Sequence, residues 1–369
     1  MNKYNIIFRK VYPILILILF FTVRCTPKSE SPKELKIHHN ETLSLGSDNP
    51  EASDHELFRS VTHIEVNQQG RIYVVNAGEA SIRVYDEQGE FQHRFGNQGS
   101  GPGEFQTISA VLIDSKDRLL IVDSGLARVS AFSLDGDFIK SWELPSVTRV
   151  HQIKQLLNGK FVLVGPYNDK LVHITDSDFS KIEASFVQIE QFLTTNAREE
   201  RVLIQFFPGK VEVLPDETLV YVPALYRGEL FNYGINSDGE WNLLRTIKGK
   251  TQHDQPASFS DFDQAKRIDM PMIFPGEGRY AAQFHSFSQG LYYDEGNLVH
   301  YSYQETNEEE LELQSEYFSI DGNLIGSSIF DKMDRITVTI LEQYQGNLYL
   351  SDNREFPKLR RLVVTQSEK

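Results

Sequence analysis

"VTHIEVNQQGRIYVVNAGEASIRVYDEQGEFQHRFG", Val61–Gly96, lies over "ISAVLIDSKDRLLIVDSGLARVSAFSLDGDFIKSWEL", Ile108–Leu144, with few gaps. In each copy a short alternating segment (Ile64–Val66; Val111–Ile113) meets a polar turn. A near-continuous apolar strand follows and ends at Asn76 or Asp123. A third strand ("IRVYD"; "VSAFS"), a glycine-containing hairpin turn and a more polar outer strand complete the unit. Weaker copies begin at Val150, Lys210 and Ser286, and a last one at Ile336 stops one strand short.

Four strands repeated every forty to fifty residues or so, with no convincing long helix, predict an all-β fold, a six-bladed β-propeller of four-stranded antiparallel blades. A ring must close. The alternating segment Leu35–Leu45 precedes the first full repeat, and the sixth repeat lacks its outer strand, so the N-terminal strand is expected beside Lys358–Thr365. "FGNQGSGPGEF", Phe95–Phe105, is glycine-rich in the manner of phosphate-binding loops. It follows an outer strand and leads into an innermost one instead of opening a helix, so it reads as the crossing between two blades.

"GRIYVVNAGEASIRVYDEQGEFQHRFGNQGSGPGEF" resembles the repeat of NHL-type propellers, and the whole chain is similar to the six-bladed propeller lipoproteins abundant in Bacteroidota. The resemblance implies an exported, membrane-tethered propeller, generally without an assigned reaction. Fold alone supplies no function.

The first residues point the same way. Lys3, Arg9 and Lys10 precede the apolar run Val11–Val23, which is short for a membrane span and is read as part of a signal peptide, residues 1–24. Cys25, the only cysteine, stands where bacterial lipoproteins carry the lipidated residue, although Arg24 departs from the small residue usual before it. Residues 25–34, polar with two prolines, read as a tether, and 35–369 as the propeller. The expected location is the cell envelope, on the outer membrane, with the membrane as a partner through the N-terminal lipid. A net charge of -15 argues against nucleic acid, which is bound through clustered Lys and Arg. The acidic run Glu308–Glu310 reads as a solvated hairpin tip.

Two insertions interrupt the repeats, Gln188–Phe207 and Lys250–Tyr280. In the second, "SFSDFDQAKRI" is compatible with a short helix capped by Ser258 or Ser260, with Pro256, Pro271 and Pro275 limiting its length. The insertion is expected either over one mouth of the central channel or against the outer rim, anchored by Phe259, Phe262 and Phe274. His63, His151 and His285 lie near the starts of innermost strands in alternate blades, where three imidazoles would suit a divalent metal. Their offsets from the turns are unequal, so polar channel lining is the preferred reading, with no metal and no cofactor. Arg149, Lys154, Arg227, Arg279 and Arg354 are further candidates for the channel mouth. Asn76, Asp123 and Asp352 are expected to accept hydrogen bonds from backbone N–H groups in the turn that follows each. Without a Ser-centred elbow or a metalloprotease motif, the leading reading is a non-catalytic binding or scaffold module for a peptide, glycan or partner protein. The alternative is a metal-dependent, lactonase-like hydrolase or lyase with its site on the propeller axis.

Overall fold

The computed structural model of the chain describes residues 35–368, apart from positions 50, 146–148, 251, 275–277, 308–309 and 334. Residues 1–34, on which the expected signal peptide, the lipidation at Cys25 and the expected tether fall, and Glu308 and Glu309 of the acidic run lie outside the described residues. The innermost strands are Val61–Val66, Ile108–Ile113, Gln152–Gln155, Lys210–Val213, Ser286–Asp294 and Val338–Tyr344. Each opens a four-stranded antiparallel blade, and the chain is a six-bladed β-propeller.

The near-continuous apolar second strands follow from burial on both faces. In blade 1 every residue of Ile72–Asn76 is buried. Tyr73 and Val75 pack against Ile108, Leu119 and Phe132 of blade 2, while Ile72 and Val74 pack against Tyr349 and Leu359 of blade 6. Alternate residues thus serve opposite interfaces, as a period of two requires. The remaining apolar clusters fill the other gaps between neighbours, so the core is a ring of interfaces around an open axis. Each fully buried Val, Leu or Ile contributes about 1.5–3 kcal/mol.

Closure is made by Leu35–Leu45, antiparallel to Lys358–Glu368, in a register from Leu35 opposite Glu368 to Leu45 opposite Leu359. Ile37, Leu362 and Val364 are buried there, and Arg360 Nη2 pairs with Glu41 Oε2 at 2.6 Å. One parallel bridge, Leu35 to Gly326, joins the closing strand to the outer strand of blade 5.

The turn residues act more broadly than local turns require. Asp123 accepts from the amides of Gly125 and Leu126 in its own turn, and from Gln106 and Thr107 of the linker that enters the blade. Asn76 departs from the expectation: its Oδ1 accepts from the upstream amides of Arg59 and Ser60, both at 3.1 Å, and its side chain does not cap the turn that follows. Asp352 accepts from the Arg354 amide and from the guanidinium groups of Arg354 and Arg360.

The glycine-rich crossing is filled by its own residues. Glu104 Oε2 accepts from the Gly101 amide at 2.8 Å, and Arg128 donates to the carbonyls of Ser100, Gly101 and Glu104. A side chain on Gly99 would meet that carboxylate oxygen at 2.2 Å, and one on Gly96 (φ 84°) would meet the Phe105 ring at 2.6 Å. Phe95 and Phe105 both pack on Phe132.

The insertions take defined forms. Ala197–Phe206 is a helix. The segment expected to be helical in the other insertion is instead a strand, Ala257–Asp261, followed by a 3-10 turn, Phe262–Gln264, in which Asp261 caps Asp263 N. It pairs along Gly278–Phe284, whose other edge holds Met270–Phe274, giving a three-stranded sheet. Cross-strand pairing outweighs the local helical spacing.

Candidate functional site

The six innermost strands point side chains at the axis in two layers. In the first, Glu65, Leu112, Lys154, Glu212, Tyr292 and Glu342 come one from each blade and line a cavity of about 450 Å³ at the turn end of the strands. Lys154 Nζ pairs with Glu212 Oε2 at 2.7 Å. Glu65 Oε2 accepts from the Ile113 amide, and Glu342 Oε1 from the Gln343 amide. Burial, and then the neighbouring Glu342, push Glu65 up to about 8 against the pull of Lys154. Burial likewise pushes Glu342 up to about 7. The lysine responds oppositely: burial disfavours its charge, yet the carboxylates around it hold its affinity for the proton above the usual lysine value.

The second layer lies at the starts of the strands. A neck of about 50 Å³, lined by His63, Glu65, Lys154, Lys210 and Glu342 among others, connects the two layers. Beyond it a cavity of about 420 Å³ is lined by His63, Ser109, His151 and Lys210 on the polar side. Phe206, Phe207, Phe284, Phe287 and Ile336 form much of its apolar wall. Phe206 ends the inserted helix, Asp269 lies in the other insertion, and Phe284 ends the central strand of the sheet that this insertion forms, so both insertions cover this mouth. They also touch each other, with the Arg198 guanidinium 4.1 Å from the centre of the Phe274 ring.

Electrostatics keep this mouth sparing of charge. Burial and the nearby Lys210 push His63 down to about 3, and burial, Lys210 and Arg149 push His151 down to about 4. Both imidazoles are therefore neutral near pH 7, each with one donor and one acceptor nitrogen. Burial and the field of Lys154 lower Lys210 as well. Three buried polar atoms on cavity-lining residues lack a protein partner: His151 Nε2, Ser109 Oγ and Asp269 Oδ1. The other oxygen of Asp269 is satisfied, accepting from Arg267 Nε at 3.0 Å and from the Phe284 amide at 2.7 Å.

Of the residues singled out from the sequence, His63 and His151 meet here. Arg149 stands beside them, its guanidinium 4.9 Å from the centre of the Phe206 ring. His285 does not line the cavity; its Nδ1 bonds to Glu305, which also pairs with Arg267. The three imidazoles therefore do not converge on the axis. Arg227 holds the helical insertion through the Phe192 carbonyl and Glu200, and Arg279 lies over Phe262 within the inserted sheet. Among the described residues no group of three or more His, Cys, Asp and Glu is placed to hold a metal ion. The axial carboxylates and Lys210 were not recognised from the sequence.

A family model described as a 6-bladed beta-propeller, DUF5128, matches residues 50–211. Among solved structures, a DUF4221 family member from Bacteroides vulgatus is 12% identical with a TM-score of 0.61, covering 92% of this chain and 100% of its own. A Bacteroides fragilis protein described as exported is also 12% identical, with a TM-score of 0.56 and coverage of 90% and 96%. Virginiamycin B lyase from Staphylococcus aureus is more distant, at 10% identity and a TM-score of 0.46 over 89% of this chain and 99% of the lyase. No curated protein matches the sequence. These likenesses concern the fold.

Proposed function

We propose that the protein is an exported, lipid-tethered propeller that binds a ligand through the mouth covered by its two insertions. The ligand class is a peptide or peptide-like molecule with an apolar side group and an acidic end. One observation carries this reading: the insertions set Phe206, Phe207 and Phe284 over a polar floor of Lys210 and two neutral imidazoles. The aromatic wall suits an apolar group, the Lys210 ammonium suits a carboxylate, and the unpartnered His151 and Asp269 atoms suit peptide polar groups. Export and anchoring are supported by the charged and apolar N-terminal regions followed by Cys25.

Calorimetry of the detergent-solubilised full chain against short peptides with aromatic C-terminal residues tests the binding reading. Saturable binding that weakens at least about tenfold in Lys210→Met is expected, one such factor being worth about 1.4 kcal/mol. No binding to such peptides, or binding unchanged in that variant, refutes it. Stoichiometric metal in the purified protein, lost in His151→Ala, would favour the metal-dependent hydrolase or lyase instead. Labelling cells with a lipid precursor, with and without Cys25→Ala, tests the anchor; label retained in the variant refutes lipidation at that residue.

A further inference from the structure

One polar residue in the wall of the covered mouth is placed for more than binding. Ser288 belongs to the innermost strand of blade 5, where the pairing register skips its neighbour Gln289, and both residues line the cavity. Such a bulge re-aims the side chains beside it. Ser288 Oγ lies 2.9 Å from His300 Nε2, and His300 Nδ1 lies 3.0 Å from Glu316 Oε2. His300 and Glu316 are directly opposite one another on the second and third strands of the blade.

We propose that Ser288, His300 and Glu316 form an acyl-transfer triad facing the covered mouth, acting on carboxylic esters with an apolar acyl group. The inference rests on the same cavity as the binding reading. Glu316 is fixed from both oxygens: Oε2 accepts from Tyr226 O–H at 2.7 Å and Oε1 from the Lys250 amide. Although burial opposes its charge, the His300, Lys250 and Tyr226 contacts hold it ionised below the usual carboxylate range. A carboxylate at Nδ1 places the imidazole proton there and leaves Nε2 bare, facing the serine hydroxyl. Tyr226 packs on the imidazole with ring centres 4.2 Å apart and screens it from water.

The chemistry balances within these groups. Ser288 Oγ forms a bond to the ester carbonyl carbon as its proton passes to His300 Nε2. Collapse of the tetrahedral species breaks the carbon–oxygen bond to the alcohol, which takes that proton and leaves. Water, deprotonated by His300, then attacks the acyl-serine and releases the carboxylic acid, restoring Ser288 O–H. In this proposal the developing oxyanion takes its donors from the cavity lining, which includes Gln289, Lys210, Ser109 and Thr339.

The test is covalent labelling of the detergent-solubilised full chain with a fluorophosphonate, together with hydrolysis of p-nitrophenyl acetate and butyrate. Expected are a single adduct mapped to Ser288, its absence in Ser288→Ala and Ser288→Thr, and labelling slowed at least about a hundredfold in Glu316→Gln. A folded wild-type protein that is neither labelled nor active on these esters overturns the proposal, as does an adduct on another serine. Peptide binding without labelling overturns the triad and leaves the binding reading in place; labelling without peptide binding does the reverse.

Discussion

Replacing Glu65 by Gln makes the electrostatics of the axial channel measurable. In the folded chain Glu65 ionises near 8 instead of 4.5, chiefly because it is buried and secondarily because Glu342 repels it. Both states are protonated well below 4.5 and feel no difference. As pH rises, the unfolded chain ionises first and the folded chain holds the extra proton, so stability falls until the folded carboxyl itself ionises. Each pH unit between the two ionisations is worth about 1.4 kcal/mol, giving on the order of 5 kcal/mol. Channel solvent reaches part of the side chain and Glu342 shares the repulsion, which reduces the effect to on the order of 3 kcal/mol. Gln retains an oxygen to accept from the Ile113 amide, and Lys154 keeps its pairing with Glu212. Urea unfolding at a series of pH values from about 5 to 9 should therefore show wild-type stability declining. The variant should have a flatter profile and gain stability at the alkaline end. An equal slope in the two proteins, or a variant less stable at the alkaline end, refutes the assignment.

Removing the chain up to Ser47 takes away the outer strand of blade 6 and should abolish the cooperative thermal transition; retention of wild-type stability would refute closure by this strand. Arg128→Ala leaves the carbonyls of Ser100, Gly101 and Glu104 without their guanidinium, with an expected loss of about 1–3 kcal/mol in chemical denaturation. An unchanged midpoint would show that the crossing does not depend on it. Arg227→Ala releases the Phe192 carbonyl and one partner of buried Glu200, so amide exchange should accelerate across Ala197–Phe206 while the blades stay protected. Uniform exchange across the whole chain would contradict an anchoring role for this arginine.

The ring was legible because its constraints repeat. Ile72–Asn76 reads as a continuous apolar strand because both faces meet other blades, and the sixth repeat's missing strand had a matching surplus at Leu35–Leu45. The inserted sheet was hidden because Ala257–Asp261 is stabilised by pairing with Gly278–Phe284, a contact invisible to local spacing. Of the axial layer, Lys154 was expected at the channel mouth and the carboxylates were not, although all carry the same signal. Glu65, Lys154, Glu212, Tyr292 and Glu342 each stand two residues before the residue that opens the following turn, whereas His63, His151 and His285 share no such offset. Register, more than residue type, was the informative signal. Ser288, His300 and Glu316 sit on different strands, and only the blade's pairing brings them within hydrogen-bonding reach.

The closing strand also sets a timetable. Leu35 pairs with Glu368, so one of the first propeller residues to emerge from synthesis waits for nearly the last before its blade exists. Contacts between such distant positions form slowly, because the intervening loop must first be ordered. Until then Ile37, Leu362 and Val364 are exposed along unpaired strand edges. Biogenesis of this propeller is therefore most exposed to aggregation in its final step, when five complete blades await a partner already made but not yet in place.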